Sequence, residues 1–371
     1  MINRERLVGR FMELCAIDSE PARERLMADR LTELLLGLGC SVTEDDTGEK
    51  IGGDTGNLIA RLPGTGPGKP LMLSCHMDRV VPGVGVKPRI EGEYIVSDGT
   101  TVLGADDAAG LAAILEGVAT LRERGIPHPP LEIVLTVAEE LALVGSSRLD
   151  TGQLAARSGF VLDAGGPVGD IIVQAPEQAK VHAVFHGRSA HAGFAPEQGV
   201  SAIQSAALAI GRMKLLRIDG ETTANIGSIH ADGPTNIVPD RCELRAEARS
   251  LDPVKLRAQV AEMTRALEDG AKECGGRVEI TVVPCYRGYR LSEDADPARL
   301  AAGAARRMGL TPRFRATGGG SDANHFNYRG IPSVVLGCGY EKVHTTEERI
   351  AQDQLALLAE WVVAIAADGG A

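Results

Sequence analysis

The sequence predicts an α/β protein with a largely parallel central sheet, flanking helices and an inserted α+β domain. Three observations carry that reading. Short apolar runs of strand length alternate with helical patterns toward both ends of the chain. Between residues 176 and 286 the runs give way to apolar–polar alternation, and the first pattern resumes near residue 290. At 371 residues the chain also suits two domains better than one, given a prior of roughly 150 residues each.

Taken in order, residues 22–38 (ARERLMADRLTELLLGL) place Leu26, Leu31, Leu34, Leu35 and Leu38 at helical spacing and stop at Gly39, a residue that ends helices. NLIARL (57–62), LMLSC (71–75), LEIVLTVA (131–138), GFVLDA (159–164) and SVVLGC (333–338) have the length and content of buried strands. Residues 107–123, 297–308 and 353–367 read as helices, which suits a mostly parallel sheet covered on both faces. In the middle, AKVHAVFHG and CELRAEARS alternate as strands with one solvated face do, separated by helices near 200–214 and 253–271. A four-stranded antiparallel sheet backed by two helices is the simplest assembly. The expected division is a catalytic domain of 1–175 and 287–371 and an inserted domain of 176–286. There is no internal repeat or low-complexity tract.

Composition removes several classes of function. Lys+Arg 39 against Asp+Glu 50, a formal charge of −11, argues against a surface for nucleic acid or anionic lipid. The opening MINRERLVGRFMELC lacks the apolar core and cleavage site of a signal peptide. No run approaches the roughly 20 apolar residues of a membrane span, so a soluble, cytoplasmic chain is expected. Seven cysteines include no CxxC pair; disulfides and thiolate zinc sites are not expected, and the cysteines read as small core residues. Aromatics at 3% leave little material for stacking platforms.

The chemistry gathers at strand ends. LMLSC runs into HMDRV, which puts His76 and Asp78 beyond the carboxyl end of a strand, where open α/β sheets bind ligands. Such a pair is either a satisfied structural contact or a metal-bound imidazole whose second nitrogen a carboxylate holds. Asp106 and Asp107 open the helical stretch LGADDAAGLAAILEGV; an N-cap worth about 1 kcal/mol and the helix dipole compete there with metal ligation. Glu139 and Glu140 follow LEIVLTVA. Two like charges in a semi-buried place are costly unless something positive offsets them, and a dication is the strongest offset. Asp163 ends GFVLD, and His344 in GCGYEKVHTTEE follows SVVLGC. Together these two histidines and six carboxylates would repel one another without metal. Two dications sharing one carboxylate would neutralise them. Zinc accepts such N and O ligands at about 2.0–2.2 Å, and two metals about 3.5–4 Å apart can activate a bridging water.

HMDRV, GADDAAG, AEE, LDAGG, GRSAHAG, TNIVP, and GGGSDANHF followed by HTTEE resemble, in order and spacing over nearly the whole chain, the dinuclear-zinc exopeptidase and deacylase family. That family includes peptidase T, carboxypeptidase G and succinyl-diaminopimelate desuccinylase. The peptidase T-like, tripeptide-aminopeptidase branch matches best. The resemblance implies two divalent ions per chain, zinc first, with cobalt or manganese as alternatives. Asp106 would bridge them, with His76 and Asp163 on one ion and Glu140 and His344 on the other. Glu139 would be the general base, Asp78 would orient His76, and Asp107 would cap the helix or support the ligands. The family often has a cis peptide after the bridging aspartate.

The insertion resembles the family's lid and dimerisation domain, which implies a homodimer in which His191 of GRSAHAG acts on the oxyanion across the dimer; His191 also fits a plain strand-end turn. Asn236 in TNIVP and Arg249 in EARSLD match groups that hold the substrate's backbone and carboxylate, a task that suits the bidentate guanidinium. Arg249 equally fits a salt bridge on an alternating strand. The GGGSD turn, with Gly319 as its second residue, resembles a substrate-lining loop whose glycines allow close backbone approach, or a tight strand-to-helix turn. Asp163 in place of glutamate points to the aminopeptidases, whereas Ala108 for lysine and Arg79 for threonine depart from the family pattern. The implied activity is removal of the N-terminal residue from short peptides. An N-acyl amino acid deacylase is the alternative. More distant are a catalytically silent metal-binding scaffold and a serine hydrolase built on Ser321 and Asp322, against which stands the lack of a GxSxG elbow.

Overall fold

The computed structural model describes residues 2–369. It divides into one unit of Met1–Gln174, Arg290–Thr317 and Ser321–Ala371, and a second of Ala175–Tyr289 with Gly318–Gly320.

The first unit opens with α1 (Arg4–Ala16), where Asn3 caps the helix by accepting the N–H of Arg6 at 3.0 Å. Leu7, Phe11 and Leu14 bury one stripe of it. In α2 (Arg25–Gly37) Met27, Leu31 and Leu35 do the same at a spacing of four. Next come β1 (Ser41–Glu44), α3 (Thr47–Ile51), β2 (Leu58–Leu62), β3 (Leu71–His76) and the hairpin of β4 (Arg89–Glu91) and β5 (Tyr94–Val96). Then α4 (Ala105–Arg124), β6 (Leu131–Thr136), α5 (Val144–Arg148), β7 (Gly159–Ala164) and β8 (Asp170–Ala175) complete the first passage.

The second unit holds β9 (Glu177–His186), α6 (Ala202–Arg212), β10 (Leu216–Arg217), β11 (Thr222–His230), β12 (Arg241–Ser250), α7 (Pro253–Glu273) and β13 (Arg277–Tyr286). Its sheet is antiparallel in the order β10-β11-β12-β9-β13. Four strands are long, and the two-residue β10 adds a fifth at the edge. Along β12, Cys242, Leu244, Ala246 and Ala248 turn inward to a core with Val181, Phe185, Met263 and Leu267, while the polar residues between them face out. Asp252 starts α7 by accepting the N–H of Val254 at 2.7 Å, with Pro253 at the first helical position.

The chain then returns through β14 (Tyr289–Arg290), α8 (Asp296–Arg307), β15 (Arg313–Ala316), α9 (Ala323–Tyr328), β16 (Ser333–Gly337), β17 (Tyr340–Glu341), β18 (Arg349–Ala351) and α10 (Gln352–Asp368). The main sheet runs β1-β2-β6-β3-β7-β16-β8-β14, with β15 paired to β8. Its centre, β6, β3, β7 and β16, is parallel; β2 on one side and β8 on the other run antiparallel to it, and β1 pairs antiparallel with β2. All residues of β3, β6 and β16 are buried, which is why they read as mainly apolar runs and not as alternating ones. Helix α4 is buried along almost its whole length, and the indole of Trp361 in α10 donates to the carbonyl of Ala301 in α8 at 3.0 Å.

A small antiparallel sheet, β17-β18-β5-β4, goes beyond the sequence reading. Its strands have at most three residues, too few to set a period. It braces residues 340–351, the segment that carries His344.

Candidate metal centre

The carboxyl ends of the parallel strands deliver the site. His76 is the last residue of β3 and is buried. Its Nδ1 bonds the carbonyl of Asp78 at 2.9 Å, so Nδ1 is the protonated nitrogen of the neutral ring and Nε2 is its ligand face. That Nε2 lies 3.0 Å from Asp106 Oδ1 and 3.8 Å from Asp163 Oδ1. The other oxygen of Asp106, Oδ2, faces His344 Nε2 at 3.5 Å, and Glu140 Oε1 is 3.1 Å from the same nitrogen. One carboxylate therefore points one oxygen at each of two imidazoles.

Local backbone explains how Asp106 gets there. Asp106 and Asp107 depart from helical angles at the head of α4, and the peptide between them is cis. Asp107 Oδ1 accepts the N–H of Gly110 at 3.2 Å, and its Oδ2 accepts that of His76 at 3.3 Å. Asp107 thus caps α4 and ties it to β3.

Asp78 serves the imidazole and the glutamate turn together. Its carboxylate accepts the N–H of Glu139 through Oδ1 and of Glu140 through Oδ2, each at 3.0 Å, and Oδ1 is 3.5 Å from His76 Nδ1. The side chain holds the di-glutamate turn while lying beside the imidazole, which the main-chain carbonyl of Asp78 also orients. The turn needs holding, because Ala138, Ala142 and Leu143 all have positive φ, a conformation that costs of order 1–3 kcal/mol per non-glycine residue. Buried Glu24 adds a third bond, accepting the N–H of Ala138 at 2.9 Å.

The ligand set fits dications. The side chains of His76, Asp106 and Glu140, and those of His76, Asp107 and Asp163, offer ligand atoms within 4.8 Å of one another. Burial pushes the carboxyls of Asp107, Asp163 and Glu139 well above the usual range, with neighbouring acids adding to it for Asp163 and Glu139. Burial opposes charge on His76, yet hydrogen bonds to Asp106 and Asp78 raise its pKa. Hydrogen bonds to Asp106 and Glu140 lift His344 to about 10. A partly buried carboxylate shared by two imidazoles, with more carboxylates on both sides, is the donor chemistry of a bridged metal pair.

Three further residues join the cluster that the motifs left without a role. Tyr340 is buried with its hydroxyl 3.5 Å from both Asp106 Oδ1 and Asp163 Oδ1. Glu348, the last residue of the HTTEE motif, accepts the N–H of Gly104 at 2.7 Å and of Asp106 at 3.0 Å. Asp322 is buried beside the hydroxyl of Thr136 at the end of β6. Among the described residues the hydroxyl of Ser321 and Nε2 of His325 both lack a hydrogen-bond partner, so Ser321 is not in the serine–histidine hydrogen bond that a nucleophile needs.

The departures from the family pattern leave the ligands intact. Arg79 is buried and donates to the carbonyls of Leu14 at 3.1 Å and Ile17 at 2.7 Å, and also to Cys15. It satisfies the C-terminal end of α1. Ala108 packs in the core. All seven cysteines are free, and burial raises the thiols of Cys75 and Cys338.

In the second unit, His191 is exposed, and its Nδ1 accepts the N–H groups of Gly193 at 3.2 Å and Phe194 at 3.1 Å, which leaves Nε2 facing outward. The carbonyl of Asn236 accepts the N–H of Ala192 at 2.8 Å, so the two segments lie side by side. Arg249 is engaged by Glu247, with Nε to Oε1 at 2.8 Å and Nη2 to Oε2 at 3.2 Å, the contact of the salt-bridge reading. Gly319 sits in the bend of Gly318–Gly320. At Gly320 a Cβ would lie 2.3 Å from the ring of Tyr286, so glycine is required there.

The chain matches the family described as "Peptidase dimerisation domain" over residues 177–274 and "Peptidase family M28" over 57–214. It is 46% identical over 365 residues to the uncharacterized protein YqjE of Bacillus subtilis (strain 168), covering 98% of each. Among solved structures, it is similar to the aminopeptidase PepT from Bacillus cereus ATCC 10987, with 49% identity, TM-score 0.89 and full coverage of both chains. It is also similar to a tripeptidase from Staphylococcus aureus subsp. aureus Mu50, with 44% identity, TM-score 0.94 and coverage of 100% and 99%.

Proposed function

The chain belongs to the peptidase T-like branch of the M20 peptidases, which are metal-dependent exopeptidases, and from that premise we propose that its site removes the N-terminal residue from short peptides with Glu139 as general base. The observation that carries the reading is the carboxylate of Asp106, set with one oxygen toward His76 and the other toward His344. His76, Asp106 and Asp163 would hold one ion, and Asp106, Glu140 and His344 the other, with zinc preferred over cobalt or manganese. When bound, such a pair supplies Lewis acidity that polarises the scissile carbonyl and lowers the pKa of a nearby water.

The chain's own groups do the rest. Glu139, fixed through its backbone by Asp78, accepts the proton of the attacking water and returns it to the departing amine. His191 donates from Nε2 to the oxyanion, and in our reading it acts across a homodimer formed through the second unit. Asn236, Arg249 and the backbone at Gly319 hold the peptide, with Arg249 turning from Glu247 to the substrate carboxylate. The free cysteines favour a reducing compartment, and we take the enzyme to be cytoplasmic.

A panel of unblocked tripeptides and N-acetyl and N-succinyl amino acids, assayed after chelation and after metal is restored, tests this function. We expect activity on free-amine peptides only, lost with the chelator and regained with metal. Hydrolysis confined to the acylated substrates would overturn it in favour of a deacylase. Glu139→Gln should lower kcat by about 10²-fold to 10⁴-fold while metal content stays at two ions per chain.

A further inference from the structure

Glu348 does nothing in the reaction as described, yet it is buried, and it spends both carboxylate oxygens on backbone N–H groups at the head of α4, those of Gly104 and Asp106. The chain there is not helical. Gly104 is left-handed (φ 74°, ψ 30°) and Asp106 is extended (φ −84°, ψ 102°), so the turn that presents the shared carboxylate cannot be closed by the helix's own ladder. Glu348 closes it from outside.

The other end of that contact matters as much. Glu348 follows His344 by four residues in one loop, and its own N–H bonds the carbonyl of Thr345 at 3.1 Å. Immediately after it, Arg349 enters β18, which pairs with β5. Glu348 is thus the point at which the His344 loop is fastened to the Asp106 turn. His76 needs no such fastening because it is built into β3, whereas the His344 side chain is 50% exposed and sits at a positive φ of 62°.

We propose that Glu348 is a positioning residue that sets the spacing of His344 against Asp106 and thereby governs the ion these two would share with Glu140. The proposal rests on the ligand assignment made above. The ion on the His76 side, held from β3 and β7, depends on Glu348 only through the shared Asp106. Loss of the clamp should weaken the two ions unequally.

Glu348→Gln preserves shape but turns an amide NH₂ toward one of the two N–H donors, and Glu348→Asp keeps the charge. Two measurements decide the matter. In the metal-free proteins, amide hydrogen exchange at Gly104 and Asp106 should speed up by about tenfold or more in the Gln variant, while the body of α4 keeps its protection. In a calorimetric titration with Co²⁺, the wild type should bind two ions, and the Gln variant should bind one of them about 10–100-fold less tightly with the other nearly unchanged. The Asp variant should recover part of that loss. Equal weakening of both ions, or wild-type affinity for both together with unchanged exchange, would overturn the proposal. Should the Gln variant fail to fold, the Asp variant in the same two measurements decides. A wild-type protein that binds no second ion would refute the ligand assignment itself, and the exchange measurement would then judge separately whether Glu348 holds the turn.

Discussion

His76 and His344 face the same carboxylate under different constraints. The first is sealed at a strand end and the second is half-exposed on a loop, so the proton on His344 is the one that solution conditions reach. Its folded pKa of about 10 lies above the ordinary histidine value, because of its hydrogen bonds to Asp106 and Glu140. A raised histidine adds stability that is complete below pH of about 6.5 and is lost as pH climbs toward about 10. An incoming ion must displace that proton, so metal affinity should rise between pH 6.5 and 9, approaching about tenfold per pH unit for each proton released. Zinc or cobalt titrations at several pH values would show it, and a pH-independent affinity would contradict it. Arg79 offers a residue-level test of structure alone. Replacing it with Met strips the last carbonyls of α1 of a buried donor and should cost about 1–3 kcal/mol by urea unfolding, with metal stoichiometry unchanged. The strand-end residues were legible in the sequence because a strand's last residue has one place to go. Glu348 was not: its partner Gly104 is 244 positions away, and no local pattern announces such a contact.

At the scale of elements, glycines in two helices make opposite predictions. Gly110 of α4 leaves no room: a Cβ there would sit 2.6 Å from both Cys75 Sγ and the carbonyl oxygen of Leu162, and 2.5 Å from Asp107 Oδ1. Gly110→Ala should destabilise by about 1–3 kcal/mol through overpacking and disturb Asp107, with a matching loss of metal affinity. Gly9 of α1 has nothing within 4 Å, and Gly9→Ala should stabilise by about 0.4–1 kcal/mol. Denaturant midpoints measured side by side would test both signs. The same scale shows what periodicity can and cannot deliver. The mainly apolar runs of β3, β6, β7 and β16 and the alternation in β12 are long enough to declare their surroundings. The two-residue and three-residue strands of the small sheet owe their pairing to the elements around them.

For the whole molecule, the buried acids set how the metal-free protein answers to pH. Burial lifts Glu24 and Glu348 each to about 7. A raised carboxyl contributes stability that is present below its unfolded value near 4.5 and is lost as pH rises through 7. The chelated protein should therefore melt at lower temperature at pH 8 than at pH 5.5, and the rise in Tm on restoring metal should be larger at pH 8. Calorimetric scans of chelated and reloaded protein at the two pH values check this, and a gap that narrows with pH would contradict it. The second unit carries the other whole-molecule prediction. The protein should elute as a dimer, and mixing inactive His191→Ala with inactive Glu139→Gln protein should restore part of the activity once subunits exchange. Exchange without recovery would rule out a cross-subunit His191.

The carboxylate of Asp106 is also a thermodynamic link. Fixing it toward His76 removes torsional freedom that binding at the His344 side would otherwise have to remove, and the converse holds equally. Occupancy of either position must then alter affinity at the other by one and the same factor. Were two ions to share Asp106 as proposed, the one that arrived first would prepare the geometry for the second, and a chelator that took one would loosen the hold on what remained.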